Sequence, residues 1–177
     1  VIRRLADIAG EHDLTYTVHF PIDKVACSEN AAQRHYLLEQ AGKIREVTAP
    51  LMPRAYIVHL DSDENQQELS YAVWRERAES FGQGLTRFFG ADERDVICIE
   101  NVRQPLAWLD DIVTRFGFSY CLDFGPLLLS GSDWRKAFTD RAERTDVVHM
   151  HGVAGEREHR PPPEMDAGLT QAMLAML

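Results

Sequence analysis

The stretch VICIENVRQPLAWLDDIVTRFGFSYCLDFG, residues 96–125, contains a strand, a helix and a second strand. VICIE at 96–100 and FSYCL at 118–122 are short runs of β-branched and aromatic residues, a composition that favours strand over helix. Between them Pro105 can open a helix at its first turn. Leu109, Ile112, Val113 and Phe116 form an apolar stripe at helical spacing, and Gly117 can close it. Two neighbouring strands joined by a helical crossover run parallel. Each strand ends in an acid, Glu100 closing VICI and Asp123 following FSYCL. A carboxylate ending an apolar run is costly to bury without a partner or a metal.

Outward from this unit the alternation continues. Strands are predicted at Leu14 to Phe20, Ala55 to Leu60 and Val147 to His151. Asn65 to Phe89 carries Leu69, Val73, Phe81, Leu85 and Phe88 near a period of 3.6, with Gly90 as its stop. Ala31 to Gln40 and Trp134 to Arg144 read as helices too, with Asp110 and Asp111 on a solvated face of the helix after Pro105. Arg160 to Pro163 (RPPP) must be a loop, and Met165 to Leu177 a final helix. Strands alternating with helices predict an α/β fold with a parallel sheet.

Ionisable residues recur at one end of these strands. His19, His59, Glu100 and Asp123 stand at or just after the C-terminal ends, and His149 and His151 stand in the last strand, two apart and so on one face. The intervening segments are each long enough for a helical crossover. If the sheet curls into a (β/α)8 barrel, these side chains converge on the mouth where such barrels build active sites. Imidazole nitrogens with carboxylate oxygens suit Zn2+, Mn2+ or Fe2+ better than Ca2+ or Mg2+. Glu100 and Asp123 could chelate or bridge one or two ions.

The chain has 177 residues, 45% of them hydrophobic, with 19 basic against 28 acidic side chains and a net charge of −9. This describes a globular domain rather than a disordered or fibrous chain. The acidic balance repels phosphate backbones and argues against a nucleic-acid partner, and no apolar run is long enough for a membrane span. A small-molecule substrate remains. Three cysteines, Cys27, Cys98 and Cys121, show no CxxC spacing, so no disulfide framework or zinc ribbon follows, and Cys98 and Cys121 read as core thiols. The expected compartment is a reducing cytoplasm; nothing in the sequence sets an oligomeric state.

ICIENV at 97–102, CLDFG at 121–125, VVHMHG at 147–152 and REH at 157–159 resemble the xylose-isomerase-like TIM barrels, the AP endonuclease family 2 superfamily. TVHFPID at 17–23, IVHL at 57–60, LDFGPLLLSG and the HMHG turn are most similar to the cobamide-remodelling phosphodiesterases within it. The resemblance implies metal ligation by Glu100, Asp123 and His149, and by His19 and His59 with the shared Glu100, hence two divalent ions, Zn2+ or Mn2+. It implies hydrolysis of the phosphoester in a cobamide's nucleotide loop, with His151 or His159 neutralising charge or protonating the leaving oxygen. The DH that commonly follows the histidine strand appears as Glu158 and His159, which places Glu158 among the expected ligands. The family's LDxGH pattern has Pro126 where its His would be, and proline ligates nothing.

A complete barrel of this kind needs roughly 250 residues. Residues 1–177 are therefore expected to form a single, partial TIM-barrel domain of about five strands, lacking two strands before the first and one after the last. Alternative readings are a sugar isomerase or epimerase of the same superfamily, which uses one ion, and an inactive truncated remnant. A DNA-repair endonuclease is disfavoured by the charge.

Overall fold

The computed structural model describes residues 1–64, 68–154, 157–160 and 167–176; the side chains of 154, 157, 158 and 160 fall outside that description. Five parallel strands form the core sheet: β1 (Thr17–His19), β2 (Ala55–His59), β3 (Ile97–Glu100), β4 (Ser119–Asp123) and β5 (Thr145–His149). They lie in the order β1-β2-β3-β4-β5, without the reversal of a doubly wound sheet. Crossovers of one hand then put every helix on the same face. The other face can only be covered by curling the sheet on itself, which makes this a partial (β/α)8 barrel.

Two cores follow from this curvature. Tyr56 and Val58, Ile97 and Ile99, and Tyr120 and Leu122 face outward into the large core beneath the helices. Ala55, Ile57, Cys98 and Cys121 form a separate inner cluster with Val147 packed against it. These inner residues are small or slender, as the narrow interior of a barrel requires. One pleat further along each strand come His59, Glu100, Asp123 and His149, so the period of two that buries the inner layer also lifts the polar residues to the mouth.

The main helices are α1 (Ile2–His12), α2 (Ala31–Thr48), α3 (Tyr71–Leu85), α4 (Leu106–Phe116), α5 (Phe124–Leu129), α6 (Trp134–Thr139) and α7 (Ala167–Leu174). Helix α4 follows the expected bounds: Pro105 precedes it, and Gly117 ends it at φ 72°, a left-handed cap that glycine adopts without a Cβ penalty. Helix α3 is shorter than its periodicity suggested. The Ser70 side chain caps it by accepting from Val73 N–H at 3.3 Å, Leu85 is its last residue, and Gly90 instead precedes a 3-10 turn. The part of the expected helix at 65–67 is outside the described residues. Leu69, Phe81 and Leu85 of the expected apolar stripe are buried, joined by Trp74 and Ala78, whereas Val73 and Phe88 are exposed. Helix α2 runs on to Thr48, α6 stops at Thr139, and of the first expected strand only Thr17–His19 pairs.

Helices α1 and α5 and a short antiparallel hairpin, β6 (Gly152–Ala154) with β7 (Arg157–Arg160), had no sequence counterpart. Asp110 is not simply solvated: it accepts from Tyr120 Oη at 2.6 Å and from both Nε and Nη2 of Arg141, at 2.7 and 2.6 Å. Pro161 to Pro163 of the expected loop, and residues 165, 166 and 177 of the expected last helix, lie outside the described residues. All three cysteines are free and buried, and among the described residues no helix is long and apolar enough to cross a membrane.

Candidate metal centre

The mouth of the half-barrel is a cavity of about 620 Å3 whose walls include His19, His59, Asp61, Glu100, Asp123, His149, His151 and His159. Glu100 is its hub. The carboxylate is 5% exposed and lies against three imidazoles: His19 Nε2 at 3.2 Å and His59 Nε2 at 2.6 Å on Oε2, and His149 Nδ1 at 2.6 Å on Oε1. Burial alone would raise its pKa; the hydrogen bonds from His149, His19 and His59 outweigh burial and hold the carboxyl well below its usual range. The same bonds to Glu100 raise His19 and His149 above 6.5 against the opposing effect of burial.

Proton counting at His19 identifies what this arrangement needs. Its Nδ1 lies 2.8 Å from the Phe20 carbonyl and its Nε2 faces Glu100, so both neighbours are acceptors. A neutral imidazole has one N–H. His19 must therefore be an imidazolium, or turn its Nε2 lone pair to a cation shared with Glu100. His59 Nε2 lies on the same Glu100 oxygen at 2.6 Å, with the Asp61 carboxylate 3.7 Å from its Nδ1. Imidazolium rings at His19 and His149, with centroids 6.4 Å apart, would repel one another. Divalent ions let all three rings stay neutral, with Phe20 and Asp61 steadying the outer nitrogens as groups behind metal ligands do. The donor set fits a metal.

Asp123 was expected beside Glu100 and His149; the structure divides that set. Asp123 is the register partner of His149, yet its carboxylate accepts from Gly125 N–H at 2.8 Å and from His151 Nε2 at 3.0 Å. The expectation that His149 and His151 share one strand face also fails, because β5 ends at His149 and His151 lies beyond it. The backbone N–H of His159 donates to His151 Nδ1 at 3.0 Å. Nδ1 also lies 3.3 Å from the Gly152 carbonyl, so the ring is held on one side by the hairpin and on the other by the Asp123 carboxylate. The His159 ring stacks on it at 4.3 Å, with the His159 backbone in the left-handed region at φ 57°. Among the described residues three donor groups result: His19, His59 and Glu100; Glu100, Cys121 and His149; and Asp123, His151 and His159. The side chain of Glu158, expected among the ligands, is outside the described residues.

Several neighbours escaped the sequence reading. Asn101 clamps the end of β4 to that of β3, its amide donating to the Asp123 carbonyl at 2.9 Å and accepting from Asp123 N–H at 2.7 Å. Asp61, one pleat beyond His59, is buried, and burial raises its pKa. Cys121 shares the inner face with Asp123, a position its period-two spacing does signal; burial pushes its thiol up, so it is a poor thiolate donor. Pro126 lines a neighbouring cavity rather than this one.

No protein-family model and no curated protein matches the chain. Solved structures do. A D-tagatose 3-epimerase-like protein superposes at a TM-score of 0.78 with 17% identity, over 97% of this chain and 69% of that one. The 3-keto-D-glucoside 4-epimerase YcjR from E. coli gives 0.70 at 15%, over 99% and 83%. IOLI protein, solved with a zinc atom, gives 0.72 at 12%, over 98% and 68%. Endonuclease IV from Thermus thermophilus gives 0.63 at 18%, over 87% and 59%. These likenesses are of fold, and they define it: the chain has the architecture of the xylose-isomerase-like TIM barrels.

Proposed function

We propose that the mouth of the barrel is a two-ion centre that hydrolyses a phosphodiester in a small molecule, the nucleotide-loop phosphoester of a cobamide being the substrate implied by the motif resemblance. One observation carries the reading: Glu100 meets His19 and His59 through one oxygen and His149 through the other, the arrangement of a carboxylate bridging two ligand groups. His19, His59 and Glu100 would hold one ion, and Glu100 and His149 the second, with Asp123 turned from His151 as its further ligand. Bound there, divalent ions would polarise the phosphoryl oxygens and lower the pKa of water. With Asp123 turned to the ion, His151 Nε2 would face the cavity, and in its imidazolium form the ring could protonate a leaving oxygen. His159 covers the ring and limits its rotation.

A second reading has its own support. Three of the similar structures are named as epimerases or epimerase-like, and Asp61 is a buried carboxylate in the same cavity that could move a proton at a carbon next to a carbonyl. One ion suffices for that chemistry. The net charge of −9 disfavours the duplex substrate of an endonuclease. Metal content measured on the chain loaded with Zn2+ or Mn2+ separates the readings, alongside turnover of bis(p-nitrophenyl) phosphate, a cobamide and a ketose. Two ions per chain and cleavage of a phosphodiester, both lost in Glu100→Gln, are expected. One ion together with ketose epimerisation would transfer the assignment to the second reading.

A further inference from the structure

Beside the metal cavity lies a second one of about 380 Å3, separated from it by Val102 and Arg103, which line both. Its walls come from the loop after β3, the first residues of α4 and the segment running from Pro126 to Ser132. Although the chain is acidic, no carboxylate among the described residues lines this cavity. Gln104 lies in its wall at 8% exposure, and among the described residues its side-chain amide has no hydrogen-bond partner. Its amide, without a protein partner, is left to the cavity and is available to a bound group. Pro105 and Leu106 form the adjoining wall, and α4 starts there with no side-chain cap; the Trp108 N–H is taken by the Pro105 carbonyl at 2.9 Å, which leaves the N–H groups of Leu106 and Ala107 without a side-chain acceptor. An uncapped N-terminus of an 11-residue helix carries partial positive charge.

We infer that this cavity binds an oxyanion, a phosphate or a carboxylate, through the Gln104 amide and the Leu106 N–H that opens α4, with Arg103 between it and the metal centre. No carboxylate among the described residues faces it, and the cavity is larger than one phosphate, so the oxyanion ends a longer group. That this group is the unreacting arm of the substrate rests on the proposed enzyme reading; the binding itself does not. Pro126 gains a role in place of the ligation it cannot perform. At the position where the family pattern has a histidine, it forms part of the apolar wall of the anion cavity.

The test titrates inorganic phosphate into the full, metal-free chain and follows the Gln104 side-chain NH2 and the Leu106 backbone N–H by NMR. Both signals should shift together and saturate. Gln104→Leu should weaken the Leu106 response about tenfold or more, and Gln104→Glu, which keeps the shape and adds a repelling charge, should abolish it. Glu100→Gln should leave it unchanged. Phosphate that moves neither signal, or binds Gln104→Glu as it binds the parent, overturns the inference. Failure of the enzyme reading would appear separately, as a chain that binds one ion or cleaves no phosphodiester while still binding phosphate at α4.

Discussion

Glu100 and Gly125 act at the residue scale through opposite properties, a buried charge and a missing side chain. The role of Glu100 was legible because a carboxylate ending VICI has to be neutralised or paired. Gly125 was not. A Cβ built there would lie 2.1 Å from Cε1 and 2.6 Å from Nε2 of His151, so the ring packs directly on the backbone that follows Asp123. The Asp123–His151 pair therefore requires glycine, for want of space rather than for backbone conformation. Gly125→Ala should displace His151, lower turnover while retaining the ions at Glu100, and cost about 1–3 kcal/mol in denaturant unfolding. Full activity in that variant would remove His151 from the chemistry.

Elements owe their positions to close contacts that composition does not report. A Cβ on Gly84 of α3 would lie 2.3 Å from Leu38 Cδ2 of α2, and one on Gly82 would lie 2.8 Å from the Phe116 ring of α4. Helix propensity alone would call both glycines defects. In the packed protein they let α2, α3 and α4 approach one another around the sheet. Gly10 of α1 has nothing within 4 Å of its added Cβ. Gly84→Ala should destabilise by about 1–3 kcal/mol, whereas Gly10→Ala should stabilise by up to about 1 kcal/mol, both read from urea midpoints. The same sign for both would show that propensity, not packing, governs these helices.

Protonation of the metal centre couples to the stability of the whole molecule. In the metal-free chain Glu100 is held below its ordinary 4.5, so its contribution is present above that value and is lost as pH falls toward the folded value. His19 and His149 are raised above 6.5; their contribution is complete below 6.5 and disappears as pH rises through the raised values. The cluster therefore stabilises the metal-free fold most between 4.5 and 6.5. A divalent ion needs the same nitrogens deprotonated, so its stabilising effect runs the other way. The increase in Tm on adding Zn2+ or Mn2+ should grow between about pH 5.5 and about pH 8. An increment independent of pH would mean that the ion binds elsewhere.

Strand ends and helix stripes were readable because each is a local energetic fact: a period of two or 3.6, or a charge closing an apolar run. On that basis the parallel α/β fold and the placement of His19, His59, Glu100, Asp123 and His149 at one mouth followed from the amino acids alone. Tertiary structure decided the grouping of those side chains. Strand register, the end of β5 at His149 and the hairpin that brings the His159 N–H to His151 set which nitrogen faces which oxygen, and all three depend on contacts between residues remote in the chain. The anion cavity has the same origin. Gln104 is an ordinary loop glutamine until the β3–α4 loop folds against the segment from Pro126 onward and makes it part of a cavity wall.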